Sequence, residues 1–109
     1  MKPGKWEIWL VNMPFDEGIG SKPRPALVID TKGNCLVVGK MTKHPPRPEY
    51  QYEYQMIDWK GAGLRVPTTL RLSKIALLHE SSFIHQLGYI QPIDQINVRK
   101  ILKLILSTP

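Results

Sequence analysis

The stretch Lys22-Pro23-Arg24-Pro25-Ala26-Leu27-Val28-Ile29 sets an arginine between two prolines at the mouth of a continuous apolar run. Short apolar runs bounded by turn signals read as buried strands. Proline lacks a donor and holds φ near −65°, so it is tolerated at a strand's start and not in a sheet interior. We therefore read a strand over residues 25–30. Thr31-Lys32-Gly33-Asn34 supplies turn chemistry, and a second apolar run over 35–41 returns the chain, giving a β-hairpin. That return strand ends in Thr42-Lys43-His44. Both strands thus present cationic and hydroxyl groups at one end of the hairpin, the composition of a phosphate site.

Upstream, Trp6, Ile8 and Leu10 alternate with Lys5 and Glu7, the period-two pattern of a half-buried strand over 6–11. Residues 12–23 gather Pro14, Gly18 and Gly20 with Asp16, Glu17 and Lys22, and read as a loop of a length uncommon without function. Downstream, His44-Pro45-Pro46-Arg47-Pro48 reads as an extended, solvent-facing segment. Tyr50, Tyr52, Tyr54 and Met56 then alternate with Gln51, Glu53 and Gln55 as another strand, and Gly61 and Gly63 turn the chain. A further strand over 68–78 changes phase between Leu70/Leu72 and Ile75/Leu77, which calls for a bulge near Ser73-Lys74. Val98, Ile101, Leu102 and Ile105 follow helical spacing, with Pro92 and Asp94 suited to the first turn; this helix should cap an open face of the sheet.

At 109 residues the chain fits one domain over 1–109, mainly β with a terminal helix. A net charge of +6 and a pI of 9.6 favour a polyanionic partner, although solvation alone accounts for many basic surfaces. The single Cys35 allows neither an internal disulfide nor a cysteine-based zinc site, and suits a reducing cytoplasm. No apolar run approaches the roughly 20 residues that span a bilayer. Glycine-rich nucleotide loops are absent, and His44, His79 and His85 lack the paired spacing of a zinc helix. We expect no cofactor and no metal.

Cleaving RNA without a metal requires the ribose 2′-hydroxyl to attack its own phosphate. The site must neutralise charge growing on the phosphoryl oxygens and move a proton twice. Arg24 supplies a planar, permanently charged fork, Thr42 a hydroxyl donor, and His44 a side chain of the type that titrates near neutrality. Lys22, Lys43, Arg47, Arg65 and Arg71 add cations, and Tyr52 and its neighbours could stack unpaired bases. Each also admits a plain structural role. Arg24 could pair with Asp16 or Glu17, Thr42 satisfy backbone, His44 sit idle in a loop, and the tyrosines pack a sheet face. The residues alone reach a basic β-rich domain with an anion site.

Taken in order, several stretches resemble the MazF/PemK family of endoribonuclease toxins from toxin–antitoxin modules. They are Glu7-Ile8-Trp9-Leu10-Val11, Lys22 to Ile29, the return strand ending at Thr42, Leu72-Ser73-Lys74-Ile75-Ala76, and Leu87-Gly88 before the helix. The resemblance implies an SH3-like antiparallel barrel of the MazF/Kid/CcdB type with a C-terminal helix. It also implies a homodimer that cuts single-stranded RNA at short sequences without metal, leaving a 2′,3′-cyclic phosphate, and an acidic antitoxin that folds along it. On this likeness Arg24 stabilises the phosphorane and Thr42 holds the phosphate or the attacking ribose. The chain departs at Trp6, where many members carry Gly, and at Thr69-Leu70-Arg71, where many carry an Asp-Gln pair. The proton acceptor then falls to His44, to Glu17, or to the arginine–threonine pair itself. A non-catalytic toxin of the same fold, binding a topoisomerase or RNA, is the alternative, because fold alone does not fix function.

Overall fold

A computed structural model describes residues 2–15 and 18–107. Its elements are β1 (Glu7–Pro14), β2 (Ser21–Lys32), β3 (Cys35–Thr42), β4 (Glu53–Gln55), β5 (Thr69–His79), β6 (Phe83–Tyr89) and α1 (Pro92–Ser107). The strands form one antiparallel sheet in the order β4-β5-β3-β2-β1-β6. The mainly-β class with a C-terminal helix holds. The hydrogen-bonded sheet is open, with β4 and β6 at its edges, rather than closed into a barrel.

The β2–β3 hairpin forms for local reasons. Lys32 pairs with Cys35, so Gly33-Asn34 is the whole turn, and Gly33 takes φ 61, the left-handed region such turns demand. Strand alternation then divides the apolar side chains between two cores. Trp9, Val11, Ala26, Val28, Leu36, Val38 and Leu78 fill one, which Phe83 edges through a T-shaped contact with Trp9 at 5.8 Å. Ile8, Leu27, Met41, Leu70, Leu72 and Val98 fill the other, and Ile101, Leu102 and Ile105 of α1 pack against it as their spacing foretells.

The bulge in β5 lies where the phase change places it. Gly39 pairs with Ile75 and the next residue, Lys40, with Arg71, so residues 72–74 stand against a single step of β3. The Leu72 N–H donates to the Tyr52 carbonyl at 3.0 Å. The bulge keeps Leu70 opposite Met41 and Leu77 opposite Val37, on the face toward α1. Ile75 and Leu77 nevertheless stay 42% and 62% exposed.

Three sequence expectations change. The loop read over 12–23 is shorter, because Asn12, Met13 and Pro14 pair with Pro23, Lys22 and Ser21. Residues 21–25 of β2 pair only with β1, so Pro23 and Pro25 sit where no second ladder asks for their missing donors. The tyrosine strand shrinks to Glu53–Gln55, since Tyr52 adopts φ 60 and ends the extended run. β6 was not anticipated: its pairing with β1 shifts register twice, between Ile8/Trp9 and between Leu10/Val11, so no clean alternation marks it.

Candidate functional site

A cleft opens where β2 and β3 part company. Their pairing begins at Ala26↔Lys40; beyond it the start of β2 follows β1, while the end of β3 continues along β5. The cleft, about 210 Å³, is lined by Lys22 and Arg24 of β2 and by Lys40, Met41 and Thr42 of β3. Arg71 of β5 closes one side, and Met13 and Pro14 of β1 with Phe15 the other. Phe15 is fixed by its N–H donating to the Gly20 carbonyl at 3.1 Å. Gly20 takes φ 114, and a Cβ there would press on the Phe15 ring at 3.2 Å. Glycine is therefore needed to close this loop.

The lining holds four cations and one hydroxyl, with no carboxylate among the described residues. Such a concave patch concentrates positive potential and favours a phosphodiester over any cation. The hairpin explains why Arg24 and Thr42, 18 positions apart, meet here: one opens β2 and the other closes β3. Lys40 was missed because it lies within a run read only as apolar. It shares a strand face with Val38, and its charge two residues beyond that buried position is the signal that the core ends there.

The other expected residues distribute around this cleft. Lys43 and His44 are exposed just past Thr42, and the His44 N–H donates to Thr42 Oγ1 at 3.2 Å. His44 Nδ1 lies 2.8 Å from the Pro45 carbonyl, an acceptor, so Nδ1 is the donor in this contact. Arg47 is half-buried beside Tyr50, its guanidinium 5.5 Å from the ring centroid. Arg71 reaches the same ring at 4.9 Å while lining the cleft. Arg65 is exposed in the turn before β5 and does not line the cleft, and Tyr52 packs against the core beneath α1. Glu17 and Asp16 lie outside the described residues.

Two carboxylates that the sequence places only as a strand polar residue and a helix-start acid organise the surroundings. Glu53 Oε2 accepts from Arg71 Nε at 2.6 Å and its Oε1 from the Arg47 N–H at 2.9 Å, with the glutamate side chain only 2% exposed. Burial works to raise the Glu53 pKa, but the backbone donor and the Arg71 guanidinium outweigh it and hold the carboxyl below its ordinary value. Asp94, fully buried in the first turn of α1, accepts from Tyr54 Oη at 2.6 Å and from the Ile57 and Asp58 N–H groups at 2.8 Å each. It thereby ties residues 54–58 to the helix.

A family model described as PemK-like, MazF-like toxin of type II toxin–antitoxin systems matches residues 4–106. The chain belongs to this toxin family. The toxin is similar in structure to an endoribonuclease from mycobacterial species, with a TM-score of 0.74 at 14% identity over 100% of this chain and 95% of the other. It is also similar to an endoribonuclease in complex with its cognate antitoxin, again mycobacterial, with a TM-score of 0.70 at 16% identity over 98% and 95% of the two chains. At such identities the likeness speaks for the fold. No curated protein matches the toxin's sequence. The matched span takes in every residue that lines the cleft.

Proposed function

We propose that this toxin is a metal-independent endoribonuclease that cuts single-stranded RNA sequence-selectively through attack of the 2′-hydroxyl, leaving a 2′,3′-cyclic phosphate. The observation that carries the reading is that Arg24 and Thr42, from separate strands, share one cleft with Lys22, Lys40 and Arg71 and no described carboxylate. That lining suits a phosphodiester and offers a divalent cation no anionic ligand among the described residues. The two structural neighbours, both endoribonucleases, support the same reading.

In this reading Arg24 and Arg71 neutralise the equatorial oxygens as the phosphorane forms, and Thr42 donates to a non-bridging oxygen. Pre-oriented donors aimed at developing charge are the largest contribution such a site can make. The proton leaving the 2′-hydroxyl goes to His44, which is anchored two residues from Thr42 by its own N–H; as the P–O5′ bond breaks the same imidazole returns that proton to the departing oxygen, leaving a 5′-hydroxyl. Lys43 and Arg47 extend the cationic track along the segment after β3.

Exposed apolar side chains outside the cleft, among them Leu77 on β5 at 62%, support a homodimer. A groove of about 750 Å³ beside α1 is rimmed by Lys5, Lys32, Arg99, Lys100 and Lys103 against a single acid, Asp30, which supports docking of an acidic antitoxin segment. Among the described residues no helix is long and apolar enough to cross a membrane; action on RNA supports a cytoplasmic location.

The test is purified protein with single-stranded RNA of varied sequence in excess chelator, with the new 5′ ends mapped. Cleavage that leaves cyclic-phosphate ends and disappears in Arg24→Ala is expected. Intact RNA across all sequences, or undiminished cutting by Arg24→Ala, overturns the reading.

A further inference from the structure

Beside the cleft stands an aromatic ring, Tyr50, that none of these roles uses. Tyr50 stands at the end of the segment after β3, with the Arg47 and Arg71 guanidinium groups 5.5 and 4.9 Å from its ring centroid. Glu53, the Cα partner of Arg71 across the β4–β5 ladder, holds both residues: its carboxylate takes the Arg47 backbone N–H and the Arg71 Nε–H. A nearly buried carboxylate and two arginines thus fix an aromatic ring that is itself left 41% exposed.

A ring serving only the core would be covered, as its neighbours show. Tyr52 and Tyr54 of the same stretch pack against the cluster beneath α1. Tyr50 instead offers water a held aromatic surface edged by positive charge, and Arg71 joins it to the phosphate cleft by reaching both. An aromatic face with arginine beside it is what an unpaired nucleobase stacks on, and the contact is available only when the base is free of a duplex.

We propose that Tyr50, flanked by Arg47 and Arg71, is a base-stacking subsite that takes the unpaired nucleobase adjoining the phosphate in the cleft. Glu53 is its positioning residue. The proposal rests on the RNA reading of the cleft and gives its preference for single strands a physical basis. Stacking does not read a base's hydrogen-bonding edge, so the subsite contributes affinity and strand form rather than the identity of that base.

The test is binding of a short single-stranded oligonucleotide, 2′-deoxy at every sugar so that no nucleophile is present, with 2-aminopurine moved along it. Quenching is expected at one position. Tyr50→Ala should weaken Kd about tenfold and abolish that quench, and Tyr50→Phe, which keeps the ring, should restore both. Glu53→Gln, measured well below its melting temperature, should lose the quench although Tyr50 is intact, an effect that lower stability alone does not produce. Wild-type Kd and quench in Tyr50→Ala overturn the proposal, as does failure of Tyr50→Phe to restore them. If RNA is cut while the Tyr50 variants bind as wild type, the subsite falls and the nuclease stands. If the Tyr50-dependent quench is present but no RNA is cut, the nuclease falls and the subsite stands. If the wild type does not bind the oligonucleotide, the subsite falls, and RNA cleavage alone decides the nuclease.

Discussion

Arg71 Nε and Glu53 Oε2 lie 2.6 Å apart, with the glutamate side chain 2% exposed and the arginine 14%. The pair joins two strands and holds a guanidinium that also lines the cleft, so its loss acts on stability and on the site together.

The Glu53 carboxyl sits below its ordinary value of 4.5 in the folded chain. For a depressed carboxylate, the stabilisation is complete above the unfolded pKa and is lost as pH falls through the folded one. Thermal melts of wild type and Glu53→Gln should therefore differ by about 2 kcal/mol near neutrality, the worth of a charge-assisted hydrogen bond. The gap should close as pH is lowered from about 6 to about 3. A gap constant across that range would mean the pair contributes nothing through its charge.

Tyr54 and Asp94 give the opposite sign. Burial first, and then the hydrogen bond to Asp94, push the Tyr54 phenol up from 10.0 to about 12. A raised folded pKa contributes stability that is full below the unfolded value and is lost as pH rises through the folded one. In an alkaline absorbance titration one tyrosine should ionise well after the rest. Tyr54→Phe should remove that late step and cost about 1–3 kcal/mol, because Asp94 keeps its two backbone donors but loses the phenol.

The hairpin, the β5 bulge and the terminal helix were legible because each rests on local signals: turn residues, a phase change and helical spacing. That Arg24 and Thr42 meet also follows from the hairpin. What escaped depends on partners distant in sequence. Glu53 reads as a polar residue of a strand until Arg71, 18 positions on, is brought against it. Asp94 reads as a residue favouring the helix dipole, yet its partners come from positions 54, 57 and 58. Leu87-Gly88 gave no reason for its glycine. The fold supplies one: a Cβ on Gly88 would fall on the Ala62 carbonyl, where the turn before β5 crosses β6.

Trp6 stands at φ 74, the left-handed region, where its N–H donates to Val28 and its carbonyl accepts from Ile90. This explains why glycine suits the position, and what tryptophan adds in exchange: its ring packs on the core beneath α1, with Lys5 and Arg99 over it at 5.2 and 5.6 Å. Once the ring is removed only the backbone cost remains. Trp6→Gly should therefore melt higher than Trp6→Ala, by about 1 kcal/mol, the reverse of the usual order in an extended segment. Equal stabilities would show that the φ carries no strain.

Arg24 and Thr42 sort by what each supplies to the transition state. Losing one oriented donor costs about 10²–10³ in kcat, so Arg24→Ala and Thr42→Ala should each fall by that order with KM changed much less. Arg24→Lys should recover only part, since an ammonium neutralises charge without the planar fork that engages two oxygens at once. Thr42→Ser should recover most, because the hydroxyl is the working group. If His44 takes the 2′-hydroxyl proton, His44→Ala should flatten the acid limb of kcat/KM against pH, whereas Thr42→Ala should lower the whole curve and leave its shape. An unchanged acid limb in His44→Ala would remove His44 from the mechanism and leave Arg24 and Thr42 in place.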